Sequence, residues 1–495
     1  MPDSVDVMFM VPPMKPILRP LDITHIFYKH FKHSENMIPT QLGLLSMAAY
    51  LRQEGFSCQY YDLCHFKGKS TLYDTLLDQI KKHNPKIIAL TSYTANFNST
   101  LRVVDIIKTI NHNILVCVGG PHVTFLDKYS IDESDYKIDV VVRGEGEHVI
   151  RDLTYHYLKK FTIESLEENV RGITTKNKRT MDQKLLTNEE LSGLPSFAFD
   201  LIPKNERRNF VYIPLTATRG CSYKCTFCTN PLFWRHKVRF RSPEKVIDDI
   251  LLAEELFPKR IVEFADTILP YKMTHFENLV NLYQKLTHTP IKMALTRANL
   301  TDNRRLELMK KLLQDDGFVI IGVENGNPEI LEKMRKPTWD QQLQALKNLK
   351  NFEISSIPTW MIGFCGENLS TMNQNMELIN YLNKKDLVRS IILYIWIPLP
   401  GSLPFQNPRK FGVKIHTHNW DFYDRAVYPP PYSLFEPNTG ETTLTNAQIW
   451  AYFLSMITLQ NKWSNERGKT KEKGYSGPLG DSSYRESRCP FCQRL

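Results

Sequence analysis

Twice along this chain, short apolar runs recur with helical stretches between them, and that alternation limits the fold more than any other feature. In the first series the runs are VDVMFMVPP (5–13), CQYYDL (58–63), KIIALTSY (86–93), ILVCVGG (114–120) and DVVVRGEGE (139–147). TQLGLLSMAAYLRQEG (40–55) and LYDTLLDQIKKH (72–83) lie between them with helical periodicity. A strand that is apolar on both faces needs cover on both. Helices returning between strands supply that cover, and the product is a parallel sheet. Five such strands predict a flavodoxin-like doubly wound α/β domain with its ligand crevice beyond the carboxyl ends of the strands. The second series runs VYIPLTATRGC, RIVEFADTI, IKMALTRANL, FVIIGVENG, SIPTWMIGF and VRSIILYIWIPLPG, with SPEKVIDDILLAEELF (242–257) and RRLELMKKLLQDDG (304–317) among its helices. Six βα units at this spacing predict a partial (β/α)6 barrel whose active site opens at the carboxyl ends of its strands.

The turns at those ends carry the chemistry. TSYTANFNST follows the third strand, GGPH (119–122) the fourth and RGEGE (143–147) the fifth. Glycines let a large ligand approach the backbone, and a hydroxyl such as Ser92 can meet its polar edge. One such turn is ordinary turn chemistry. Three on one sheet edge predict a cofactor crevice.

RGCSYKCTFC leaves the first barrel strand and sets Cys221, Cys225 and Cys228 at C-x₃-C-x₂-C spacing. A structural zinc site could be completed by His236, but bulky residues surround that histidine in TNPLFWRH and no second C-x₂-C lies nearby. Three thiolates can instead hold a four-iron cluster and leave one iron open to a substrate.

The motif resembles the signature of the radical S-adenosylmethionine superfamily, C-x₃-C-x-aromatic-C, with Phe227 as the aromatic. EFADT, TRANL, GVENGNPEILEKMRK, IGFCGE and PLPG follow in order, and the N-terminal IPTQLGLLSMAAYLRQEG, GGPHVT and VVRGEGE extend the likeness to the cobalamin-binding branch. It spans roughly residues 5–405. The resemblance implies a [4Fe-4S] cluster on Cys221, Cys225 and Cys228, and S-adenosylmethionine bound by the free iron. It implies adenine against the Phe227 backbone and near Gly363, and contacts to the methionine or ribose from Asp266, Arg297 and Glu324. Cobalamin is implied at Ser92, Gly119, Gly120, Gly144 and Glu145. Some cobalamin domains carry a D-x-H-x-x-G turn after the first strand; here that turn reads VPPMKPILRP, without histidine. Asp62, His65 and Gly68 in DLCHFKG fall one residue too far apart and in the second turn, so cobalamin is expected without a protein histidine on cobalt. His122 reads as a turn histidine.

The implied activity is a cobalamin-dependent radical methylation of an unactivated carbon in a small-molecule or peptide substrate. Reductive cleavage of S-adenosylmethionine would generate a 5′-deoxyadenosyl radical, with an external one-electron donor such as flavodoxin or ferredoxin. Radical oxidation or cyclisation is the nearest alternative, and a zinc-stabilised nucleic-acid-binding protein a distant one.

At 495 residues the chain exceeds one ordinary core. The expected divisions are a cobalamin-type domain over 1–160, a linker and hairpin over 161–210, the barrel over 211–405, and a C-terminal region over 406–495 with a flexible tail. Nine scattered cysteines argue for a reducing cytoplasm rather than a disulfide framework. No apolar run reaches the ~20 residues that span a bilayer, and the first residues lack the features of a secretory signal. The net charge of +10 includes +4 from residues 462–495, with eight Lys/Arg and four Asp/Glu, and makes a weak argument for nucleic acid. Cys489 and Cys492 in that tail are half of a metal site at most.

Overall fold

A computed structural model describes residues 4–13, 41–65, 71–208, 210, 212–314, 316–423 and 429–471. The first sheet comprises β1 (Val7–Val11), β2 (Cys58–Asp62), β3 (Ile87–Thr91), β4 (Leu115–Gly119), β5 (Val140–Val142) and β6 (Ile173–Thr174), in the order β2-β1-β3-β4-β5-β6. The first five are parallel and β6 pairs antiparallel with β5. β1 and β3 are buried along their whole length, as their unbroken apolar runs require. Helix α1 (Leu42–Gln53) buries Leu44, Leu45, Ala48 and Leu51. The sixth strand comes from the segment expected to be linker and hairpin. Two residues are too few to carry an alternating pattern, but a Thr174–Arg179 bridge does fold GITTKNKRT back on itself.

The second sheet is all parallel, in the order β14-β13-β12-β11-β10-β7. Its strands are β7 (Tyr212–Leu215), β10 (Ile261–Phe264), β11 (Ile291–Thr296), β12 (Phe318–Glu324), β13 (Ser355–Ile362) and β14 (Ile392–Ile395). Consecutive strands pair edge to edge, which is the wall of a partial barrel. Helix α2 (Pro243–Leu256) begins with the Ser242 hydroxyl accepting from the Lys245 N–H and with proline in its first turn. Between β7 and α2 stand two short antiparallel strands, β8 (Thr218–Gly220) and β9 (Val238–Phe240). The three cysteines lie in the loop these strands enclose.

Beyond residue 405 the periodicity fades in the sequence, yet the chain keeps folding. β15 (Val413–Ile415), β16 (Tyr432–Phe435) and β17 (Thr442–Leu444) form an antiparallel sheet, followed by α3 (Asn446–Lys471). Residues 465–471, expected to be flexible, are helical. Cys489 and Cys492 lie outside the described residues. No described helix is long and apolar enough to cross a membrane.

Candidate functional site

The cysteine loop is held at its neck. Gly220 has φ +102°, and a Cβ there would run into the Lys237 carbonyl, so β8 and β9 close only with glycine at this position. Asp266, just beyond β10, is fully buried. Its carboxylate accepts from the Ala217 N–H at 3.1 Å and from the Thr218 N–H at 2.5 Å and hydroxyl at 2.6 Å. Burial pushes this carboxyl up to about 6 despite those donors. The residue expected at S-adenosylmethionine thus spends its side chain on the backbone entering the loop.

Within the loop, burial pushes the Cys221 thiol up and the Cys228 thiol to about 12, and each feels the charge of Cys225. Arg297 donates to the Cys225 Sγ at 3.2 Å and to the Arg335 carbonyl at 3.2 Å, and lies over the Tyr223 ring at 4.2 Å. The buried Lys336 ammonium, lowered by burial, is drawn the other way by Glu324, Cys225 and Cys228. Three thiols beside two cations suit an anionic thiolate cluster, because ligand cysteines must lose their protons. His236 is exposed, and among the described residues no three His, Cys, Asp or Glu side chains gather to hold a single metal ion.

Glu324 ends β12 with φ +76°, at an irregularity in its pairing with β13. A glutamate is held in this conformation only by its surroundings. Tyr394 Oη donates to it at 2.6 Å, Thr359 Oγ1 at 3.0 Å, and Lys336 lies 3.7 Å away. Gly363 has φ +80°, and the position its Cβ would take is occupied by Tyr432 and Ile449 of the C-terminal region. Tyr432 Oη also donates to the Gly363 carbonyl at 2.8 Å. The freedom expected to admit adenine is therefore used on that side by protein. Phe227 packs edge-on against Phe364, ring centres 6.2 Å apart.

Sequence reasoning passed over Glu367. Fully buried, it accepts from the Gly363 and Phe364 N–H groups and from the Asn325 and Asn375 side-chain amides, at 2.7–3.0 Å. Burial pushes its carboxyl to about 7. It ties the turn after β12 to the turn after β13. IGFCGE contained it, but only the fold reveals its four donors.

On the first sheet the crevice is built of backbone. Ser92 is buried at the end of β3; its N–H donates to the Gly119 carbonyl at 2.8 Å and its carbonyl accepts from the His122 N–H. Gly120, at φ +108°, lies so close to the Ser92 backbone that no side chain fits. Gly144, at φ +73°, has nothing within 4 Å of where a Cβ would stand, so its face is open. That open glycine, beside the backbone of Ser92, Gly119 and Gly120, suits a large, amide-rich ligand such as cobalamin. Glu145 instead turns toward the barrel and accepts from the Leu186 N–H, Arg219 and Arg239. His122 is buried against Phe97 and Trp420, with Nδ1 3.2 Å from the Thr94 hydroxyl and Nε2 buried without a partner. Burial depresses its imidazole to about 3, leaving it neutral. His65 follows β2 in a short helical turn, while Gly68 lies outside the described residues.

Residues 36–154 match the B12 binding domain family and residues 215–379 the Radical SAM superfamily. An uncharacterised methyltransferase of Pyrococcus horikoshii is 26% identical over 389 residues, 77% of this chain and 81% of the relative. Bacteriochlorophyllide d C-12(1)-methyltransferase of Chlorobaculum tepidum is 25% identical, covering 83% of each chain. Anaerobic magnesium-protoporphyrin IX monomethyl ester cyclase of Rubrivivax gelatinosus is also 25% identical, covering 80% of this chain and 71% of the relative. Among solved structures, the radical S-adenosylmethionine methyltransferase TsrM from Kitasatospora setae, with cobalamin and a [4Fe-4S] cluster bound, superposes with a TM-score of 0.67. The identity is 13%, and the match covers 92% of this chain and 89% of that one. This likeness is one of fold.

Proposed function

We propose, from the premise that this chain belongs to the cobalamin-binding branch of the radical S-adenosylmethionine enzymes, that it methylates an unactivated carbon of a metabolite or natural-product precursor. When bound, the cluster supplies the electron that cleaves S-adenosylmethionine to a 5′-deoxyadenosyl radical, and cobalamin carries the methyl group. Cys221, Cys225 and Cys228 are assigned to the cluster, while Arg297 and Lys336 hold positive charge beside the thiolates. Asp266 and Glu367 fix the backbone around that pocket. Glu324 presents a fixed carboxylate at the barrel mouth for the amino or ribose groups of S-adenosylmethionine. Phe227 and Gly363 are assigned to its adenine, with Gly363 approached from the side Tyr432 leaves free. Ser92, Gly119, Gly120 and Gly144 shape the corrinoid crevice, with Glu145 fixing the turn behind it. Flavodoxin or ferredoxin fits the required reductant.

The observation that carries this reading is the direct ionic contact between the turn after β5 and the neck of the cysteine loop. It joins the turn that holds Gly144 to the strand that leads into Cys221, which supports one reaction space for both groups. The test uses S-adenosylmethionine with a trideuterated methyl group, hydroxocobalamin and a chemical reductant. Methyl transfer predicts the CD₃ label in the corrinoid fraction with S-adenosylhomocysteine as co-product, and 5′-deoxyadenosine from separate molecules. Formation of 5′-deoxyadenosine with no label transfer rejects methylation and favours the oxidative cyclase reading, which the Rubrivivax gelatinosus relative keeps in view.

A further inference from the structure

Arg219 and Arg239 stand directly opposite one another across the β8–β9 pair. Like charges facing across a ladder repel, so this hairpin needs counter-charge from elsewhere. The turn after β5 provides it. Glu147 accepts from Arg219 at 2.7 Å, and Glu145 accepts from Arg219 at 2.8 Å and from Arg239 at 2.6 Å. The glutamate side chains are 4% and 3% exposed and the arginines 13% and 7%, so water screens little of the attraction. Ser46 of α1 donates to Glu147 at 2.7 Å. Residue 186 completes the set, its N–H donating to Glu145 and its carbonyl accepting from Arg239. Burial would raise Glu147, yet Arg219 outweighs it and holds the carboxyl below its ordinary range.

Two cations from one unit and two anions from the other make a neutral cluster, in which Arg239 bonds through Nη1 while its Nε and Nη2 are buried without a hydrogen-bond partner. Buried ion pairs add little net stability compared with apolar packing, but they fix geometry, and losing one member strands a buried charge. This cluster grips the neck of the loop that bears Cys221, Cys225 and Cys228, two residues before the first cysteine. Its anions lie in the turn that contains the open Gly144.

We propose that Arg219, Arg239, Glu145 and Glu147 form a clamp that makes the cysteine loop and the corrinoid-side turn one mechanical unit, so a disturbance at the loop neck is felt at the corrinoid crevice. These are positioning residues, and the proposal rests on the reading that this crevice takes cobalamin.

The test compares the full chain with Arg219→Lys, Arg219→Gln and the double variant Arg219→Gln/Glu147→Gln by hydrogen exchange and by titration with hydroxocobalamin. Lysine keeps the charge but lacks the planar fork that spans two carboxylates. In Arg219→Gln, exchange should rise about tenfold or more both at 218–240 and at 140–147, and hydroxocobalamin should bind about tenfold more weakly, with Arg219→Lys intermediate. Should Arg219→Gln not fold, the double variant, which strands no charge on Glu147, takes both measurements with the same coupled loss expected. Faster exchange confined to 218–240, with corrinoid affinity unchanged, overturns the clamp. A wild-type chain that binds no hydroxocobalamin rejects the cofactor reading instead, and the exchange comparison still decides the clamp.

Discussion

The two sheets meet their expected ligands in opposite ways. At the carboxyl edge of the first sheet the crevice is neutral: backbone from Ser92, Gly119 and Gly120, the open Gly144, and a histidine kept uncharged by burial. Its acidic residues, Glu145 and Glu147, point away to the barrel. At the barrel mouth Arg297, Lys336 and Glu324 bring charge to the cysteine loop, while the buried carboxyls of Asp266 and Glu367 hold the backbone at neighbouring strand ends. A bulky ligand rich in amides is recognised by shape and close backbone approach. A site that gains and loses an electron beside a sulfonium needs fixed charges aimed at it. One edge is therefore sensitive to steric change and the other to electrostatic change.

The largest expected effect breaks the charged side. Cys225→Ala should reduce iron after anaerobic reconstitution to background and abolish 5′-deoxyadenosine formation, since each thiolate anchors one iron. Replacing Cys489 and Cys492 together should leave both intact. Loss of iron in the tail variant with retention in Cys225→Ala would reverse the assignment.

Two glycines sharpen the neutral side. Gly120→Ala should destabilise the chain by about 2–4 kcal/mol, because its Cβ meets the Ser92 backbone at an unfavourable φ. Gly144→Ala meets no atom and should cost only about 1 kcal/mol, while weakening hydroxocobalamin binding markedly. Thermal denaturation paired with a corrinoid titration separates these outcomes. Equal loss of stability in both would remove the case for an open crevice.

A third prediction concerns pH. Glu367 sits at about 7 in the folded chain against an ordinary value of 4.5, so the folded state holds its proton longer than the unfolded state does. The stability this contributes is present in full below pH 4.5 and is lost as pH rises through 7. That amounts to roughly 3 kcal/mol in all. Thermal melts across pH 4–8 should show wild type losing stability relative to Glu367→Gln over that window. Parallel profiles would show that the four donors hold the carboxylate ionised throughout.

The smallest expected effect is none. His65→Ala should leave the spectrum and affinity of bound hydroxocobalamin unchanged, as its turn follows β2 rather than β1. Loss of nitrogen coordination to cobalt in this variant would refute the histidine-free expectation.

The first sheet was readable because strands such as β1 and β3, buried on two faces, are apolar throughout, the barrel because its half-buried strands recur between helices, and the three-cysteine loop because its spacing is local. The C-terminal sheet was not, since strands of three or four residues such as Val413–Ile415 carry too little periodicity to stand out. Roles for single polar residues were harder still. Asp266 and Glu145 stand at strand ends where a ligand contact is the natural expectation, yet each directs its carboxylate to protein donors.

By itself, then, the order of residues determined the two α/β units, the three-thiol loop and the glycine-bearing turns of the first crevice, all properties set within a few neighbouring positions. Only the tertiary structure decided which charges face one another. Glu145 and Arg219 are 74 residues apart along the chain, and so are neighbours only once both sheets have formed. A carboxylate buried beside a guanidinium becomes a clamp, whereas the same carboxylate turned to solvent would be a surface charge, because the cost of removing it from water is met only by a partner the fold brings to it.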